Sequence, residues 1–304
     1  MFNKEKFGKI LVPIVTPFKE NQSVDYDAMV SIGEKLIKNN FADTFILTGT
    51  TGEFFSMSAE ERLNIFKTMK ENFEGRIPLI PGTGCASTKE TIALTQATKD
   101  LGFDLVMMVA PYYTKPTQSE LYNHFKTVAE AVDVEILLYN IPIFTGVNLN
   151  PATVAELAKI PNIVGIKEEA ELNAKQMTEF LNVTPDNFIV YNGDDTMVLE
   201  SYVQGYERIG GVISGAAHII GDRIRNMIEL LQDGKVQEAS MIQRSLLPLY
   251  RSMGPNGRTN PVSLLKDAMR IVGYNSGIPR LPLTPGSEEE VEGVKAAMKD
   301  LGII

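Results

Sequence analysis

"IVGIKEE", residues 163–169, is a short β-branched run that ends on an ammonium group, Lys167, and then two carboxylates. A brief, almost wholly apolar run rich in Ile and Val reads as a buried strand. Lysine is almost never fully buried unless it is paired. Lys167 is therefore either the first solvated residue of a loop or an amine held in a dry pocket, and the rest of the chain decides which.

Seven similar runs lie to either side. They are "KILVPIVTPF" (9–18), "TFILTG" (44–49), "IPLIPGTG" (77–84), "FDLVMMVAP" (103–111), "EILLYNIP" (135–142), "FIVYNGDD" (188–195) and "IGGVISG" (209–215). Amphipathic stretches such as "SAEERLNIFKTMKENF" separate them, and capping signatures open two: Ser58 with Glu61, and Ser87 with Glu90. Strands divided by helices pair in parallel, and uniformly apolar strands are covered on both faces. Eight such units suit a closed (β/α)8 TIM barrel, for which about 250 residues is typical. An open doubly wound sheet predicts a Gly-rich first turn, and "LVPIVTPF" supplies none. We expect an α/β chain with a catalytic barrel over residues 1–218. A C-terminal helical extension over 219–304 packs on it, with no Ser/Gly-rich linker between the two.

Composition narrows the function. The 304 residues are 44% hydrophobic and 22% charged, as in ordinary globular proteins, with a formal net charge of -9. No Lys/Arg stripe is present, so no nucleic-acid partner is expected. No segment approaches the roughly 18 apolar residues of a membrane span. The apolar run near the N-terminus is broken by Pro13 and Pro17 and lacks a cleavage site, which argues against a signal peptide. The single cysteine, Cys85, rules out an intrachain disulfide and a Cys-rich zinc site. His124 and His218 form no spaced motif, so no metal is expected. A cytoplasmic location follows.

In a barrel the C-terminal strand ends converge on one mouth, where the active site lies. Read in order they give Thr16, Thr50, Thr51, Gly82, Thr83, Tyr112, Tyr113, Tyr139, Asn140, Lys167, Gly193, Asp194 and Ser214. That set is rich in hydroxyls and holds one amine. Low-dielectric walls disfavour a charged lysine, and a neutral amine attacks a ketone to form a Schiff base. The chemistry needs a proton shuttle, and Tyr139 ends the neighbouring strand. The amides of "GTTGE" (49–53) suit a carboxylate, but the turn lacks a P-loop lysine. Glu168 and Glu169 read as helix-capping groups or partners of basic side chains.

Taken together these stretches resemble the dihydrodipicolinate synthase/N-acetylneuraminate lyase family. The similarity runs through "VPIVTPF", "GTTGEFFSMSAEER", "APYYTKPTQSELYNHF", "YNIPIFTG", "GIKE", "NGDD", "GVISG" and "RLPLTP". Each piece alone is weakly specific; the ordered set is highly so and covers nearly the whole chain. The resemblance implies pyruvate bound as an imine on Lys167, with no other cofactor, and a homotetramer built as a dimer of dimers. It gives Tyr139 the phenol that exchanges protons, and Thr51 the hydroxyl relay to it. Tyr113 completes the relay from a neighbouring subunit. Thr50 and Thr51 cradle the substrate carboxylate, and Gly193 and the Ile213 carbonyl form the pocket wall.

Two departures bear on the second substrate. Phe144 stands where synthases of this family usually carry an arginine that grips the carboxylate of the incoming aldehyde. Loss of such a contact costs about 1.5–3 kcal/mol. After Lys167 the chain reads Glu168-Glu169-Ala170-Glu171, and the extra carboxylate suits the hydroxyls of a sugar acid. Phe54 and Phe55 make feedback inhibition by lysine doubtful. The expected function is condensation of pyruvate with aspartate semialdehyde, the dihydrodipicolinate synthase reaction of lysine biosynthesis. The alternative is an aldolase or dehydratase of a 2-keto-3-deoxy sugar acid or N-acetylneuraminate. A noncatalytic keto-acid binding protein is the third reading, and Lys167, Tyr139, Thr51 and Tyr113 together argue against it.

Overall fold

The computed structural model describes residues 4–170 and 174–304. Glu171 therefore lies outside the described residues, as does the start of the N-terminal segment. The described residues form eight parallel strands: β1 (Ile10–Pro13), β2 (Thr44–Leu47), β3 (Leu79–Pro81), β4 (Leu105–Val109), β5 (Glu135–Asn140), β6 (Ile163–Glu168), β7 (Ile189–Asn192) and β8 (Ile209–Ile213). Each lies inside one of the apolar runs. The hydrogen-bonded order β3-β2-β1-β8-β7-β6-β5-β4 leaves β3 and β4 to meet. A parallel bridge between Gly82 and Met107, with Thr83 N–H donating to Met107 O at 2.9 Å, closes the ring.

Side chains alternate across the strands. Leu11, Ile46, Leu137, Tyr139, Tyr191 and Ile213 fill the inside of the barrel. Ile10, Val12, Phe45, Leu138, Ile166 and Val190 pack outward against the helices. Both faces are buried, which is why the strands read as continuous apolar runs instead of alternating ones.

The helices α1 (Tyr26–Lys38), α2 (Ala59–Phe73), α3 (Thr88–Asp100), α4 (Gln118–Ala131), a single turn α5 (Pro142–Thr145), α6 (Pro151–Leu157), α7 (Ala174–Val183), α8 (Val198–Gly205) and α9 (Ala217–Gln232) form the outer layer. Ser58 and Glu61 close a full capping box on α2. At α3 Ser87 accepts from Glu90 N–H, but the Glu90 carboxylate takes the Ser87 hydroxyl instead of the backbone amide, leaving the box half made.

Three more helices follow: α10 (Val236–Ser252), α11 (Val262–Ile271) and α12 (Glu288–Asp300). Position 218, where the barrel was expected to end, falls near the start of α9. That helix packs on α8 and β1 and also on α10 and α11. Among the described residues no helix is long and apolar enough to cross a membrane.

Candidate active site

The register of the sheet puts the two expected reactive groups side by side. Tyr139 on β5 pairs directly with Lys167 on β6, and Lys167 pairs with Tyr191 on β7. Ile166 faces the helices, so Lys167 faces the barrel mouth, Glu168 faces out again and Glu169 returns to the mouth. Lys167 is buried at 4% exposure, with Nζ 4.0 Å from the centroid of the Tyr139 ring.

The ammonium is paired. Glu169 Oε2 lies 2.7 Å from Lys167 Nζ, and the Tyr139 hydroxyl donates to the same oxygen at 2.7 Å. One carboxylate thus bridges the amine and the phenol. Burial, and after it the Glu169 charge, hold the Tyr139 pKa well above its ordinary value. The phenol stays a neutral donor.

Thr50 Oγ1 sits 3.4 Å from the Tyr139 hydroxyl. The hydroxyl nearest the phenol is therefore that of Thr50, not Thr51. The Thr51 Oγ1 lies 3.7 Å from where a Cβ on Gly215 would stand. Both threonines line the cavity, and neither N–H donates to a described residue. Two unpaired amides beside an amine fit a substrate carboxylate.

Gly193 makes room for the lysine. A Cβ there would come within 2.6 Å of Lys167 Cε and 2.9 Å of Glu169 Cβ. Ile213, at the end of the neighbouring strand β8, also lines the cavity, as does Phe144, on the turn α5 and 37% exposed. Tyr113 stands apart. It is 92% exposed with φ +74°, and it is not among the described residues that line the cavity.

The cavity measures about 270 Å³, the size of a small metabolite. Its floor is the barrel, and part of its wall comes from the C-terminal helices through Tyr250, Met253, Pro261 and Leu265. The sequence reading missed these residues, although the packing of the extension on the barrel was expected. Asp194 and Asp195 also face the space, and burial pushes the Asp195 carboxyl up to about 6. Lys167 is the one basic side chain among the described residues lining the cavity.

Glu168 works behind the wall. Its carboxyl accepts from Asn140 Nδ2 at 2.9 Å, Gln176 Nε2 at 3.0 Å and Ala170 N–H at 3.0 Å. Burial raises its pKa to about 7. The histidines are elsewhere: His124 Nδ1 meets Thr88 Oγ1 at 2.9 Å, and His218 joins Val15 N–H to the Gly215 carbonyl. No group of three His, Cys, Asp or Glu poised for a metal ion occurs among the described residues.

A sequence model of the dihydrodipicolinate synthetase family matches residues 6–301. The 4-hydroxy-tetrahydrodipicolinate synthase of Desulforudis audaxviator is 40% identical, with 98% of this chain and 99% of that protein aligned. The enzyme of the same name from Oceanobacillus iheyensis is 38% identical, covering 97% of each. Among solved structures, a dihydrodipicolinate synthase from Bacillus anthracis superposes with a TM-score of 0.91 at 34% identity, covering 98% of this chain and 99% of the other. That of Cyanidioschyzon merolae with lysine bound gives 0.91 at 35% identity, with the same coverage. A match over almost the whole length, on a closed barrel whose mouth holds a buried lysine beside a tyrosine, establishes that the chain belongs to the dihydrodipicolinate synthetase family.

Proposed function

We propose that the chain is a Schiff-base carbon–carbon lyase that condenses pyruvate with aspartate semialdehyde, as a 4-hydroxy-tetrahydrodipicolinate synthase. The observation that carries this reading is the Lys167 amine, buried and in contact with the Tyr139 ring, at the floor of a cavity that also offers two unpaired amides. The amine attacks the keto carbon while the Thr50 and Thr51 amides hold the carboxylate. The iminium then serves as the electron sink for enamine formation and attack on the aldehyde. The Tyr139 phenol, beside the amine, relays protons in these steps. The exposure of Tyr113 supports a role for it in the site of a second copy, in a tetramer built as a dimer of dimers. Synthesis in the cytoplasm, as part of lysine biosynthesis, fits the reading.

A second reading is favoured by Phe144 together with Glu169, Asp194 and Asp195. A cavity with one basic side chain and three carboxylates has little to hold a second substrate carboxylate once Lys167 is engaged. It suits the hydroxyls of a 2-keto-3-deoxy sugar acid cleaved through the same imine. Steady-state assays separate the two: condensation of pyruvate with aspartate semialdehyde against pyruvate release from 2-keto-3-deoxygluconate or N-acetylneuraminate. Faster condensation supports the synthase; faster release supports the aldolase. For a synthase, Phe144→Arg should lower KM for the aldehyde by about tenfold, the worth of a charge-assisted hydrogen bond.

A further inference from the structure

We infer that Glu169 is a catalytic residue, the proton carrier for formation and breakdown of the Lys167 imine; this deepens, and rests on, the imine chemistry proposed above. The carboxylate is fixed by two short contacts, 2.7 Å to Lys167 Nζ and 2.7 Å to the Tyr139 hydroxyl. It is held at strand-end geometry, with Glu169 N–H donating to Asn140 O at 2.9 Å. Its contact atom is the reacting nitrogen itself.

An ammonium cannot attack a ketone. It must first give up a proton and later return one to the departing oxygen. Glu169 lies where both transfers occur. The carboxylate takes a proton from the Lys167 ammonium, leaving a neutral amine and a neutral carboxylic acid. The amine lone pair forms the N–C bond as the carbonyl π pair moves to oxygen. The Tyr139 hydroxyl, touching the same carboxyl, relays one proton from the new nitrogen to that oxygen. Glu169 then protonates the hydroxyl of the carbinolamine. The C–O bond breaks, water leaves, and the nitrogen lone pair closes the C=N bond. One ammonium and one ketone have become one iminium and one water, and Glu169 is again a carboxylate, now facing the iminium charge.

The other acids at hand are worse placed. Glu168 points away from the cavity into contacts with Asn140, Gln176 and the Ala170 amide. Asp194 is engaged by Thr196 N–H at 2.8 Å and Thr196 Oγ1 at 2.8 Å, and Asp195 Oδ2 by Ala216 N–H at 3.0 Å. The Tyr139 phenol, held neutral, cannot by itself take the ammonium proton.

The test measures the rate of the pyruvate–borohydride adduct on Lys167, by mass spectrometry, in wild type, Glu169→Gln and Glu169→Ala. General acid–base groups contribute about 10²–10⁴-fold, and we expect both variants to trap at least about a hundredfold more slowly. In Glu169→Ala, added formate should restore the rate in proportion to its concentration, because a free carboxylate can enter the vacated volume. A circular-dichroism melt confirms the fold of each variant. Less than tenfold slowing in both variants, or slowing that formate does not relieve in folded Glu169→Ala, overturns the role. Adduct formation in wild type with either of those results overturns this inference alone; no wild-type adduct overturns the imine chemistry and the inference together.

Discussion

At the residue scale the site is set by who shares a face with whom. Lys167 and Glu169 are two apart at the end of β6, so both reach the mouth, while Glu168 between them is turned into the wall. The sequence made Lys167 and Tyr139 visible because each ends a strand and the two strands are neighbours. It also placed an extra carboxylate near the mouth, but not its partners. Whether a glutamate after a strand caps a helix or folds back on a lysine depends on side-chain rotamers that no periodicity encodes. The choice between Thr50 and Thr51 was hidden for the same reason, since adjacent residues in a tight turn point to different sides. Thr50→Val should lower kcat about five- to tenfold, the worth of one hydrogen bond of about 1 kcal/mol, while Thr51→Val leaves kcat unchanged; steady-state kinetics decide. Gly193→Ala would put a methyl group 2.6 Å from Lys167 Cε and displace the amine. A misplacement near 1 Å costs about a hundredfold, and we expect that fall in kcat in a protein that still folds.

At the scale of elements, strands proved the most legible part of the chain. Their two-sided burial leaves long apolar runs, and all eight lie within the runs identified from sequence. Helix starts were legible where a hydroxyl precedes an acid by three residues, as at Ser58. Two more complete boxes, at Thr117 with Glu120 and Ser287 with Glu290, follow the same rule. The joint between β6 and its neighbours carries a pH dependence that sequence does not show. Burial raises the Glu168 carboxyl from 4.5 to about 7. Its neutral form is the one the fold favours, so its contribution is full below about 4.5 and is lost as the pH rises through about 7. A shift of that size corresponds to roughly 3 kcal/mol. Asp195, raised to about 6, acts in the same direction over a lower window. Urea midpoints should therefore fall between pH 4.5 and 7 in the wild type, and Glu168→Gln should flatten the upper part of that slope. An unchanged slope in Glu168→Gln would show that its carboxyl titrates normally.

Across the whole molecule, the C-terminal helices are tied to the mouth by contacts far apart in sequence. Lys266 on α11 is fully buried against Glu53, which ends the turn carrying Thr50 and Thr51. Lys266 Nζ also donates to Thr16 O at 2.7 Å and to Ile278 O at 2.9 Å, and the Arg280 N–H reaches Glu53 Oε2 at 2.9 Å. The Arg280 guanidinium continues to Glu61 on α2 at 2.8 Å. The pairings with Thr16, Glu53 and Glu61 span more than two hundred residues and leave no local pattern, so this network, like the cavity wall from α10 and α11, was illegible before the fold was known. Lys266→Met would strand the Glu53 carboxylate in the interior. Breaking one side of a buried pair costs about 3–5 kcal/mol, readable by urea denaturation, and the loosened turn should raise KM for the keto acid. The double variant Lys266→Met/Glu53→Gln should recover much of the stability, since it removes the unpaired charge.

The proposed activity depends on one covalent bond between a barrel lysine and a keto carbon. The direct measurement is peptide mass mapping after incubation with pyruvate and borohydride. The expected result is a single reduced pyruvyl adduct on the peptide containing Lys167, absent from a folded Lys167→Ala variant that has lost turnover. An unmodified Lys167 peptide in active enzyme, or an adduct on a different lysine, would contradict it.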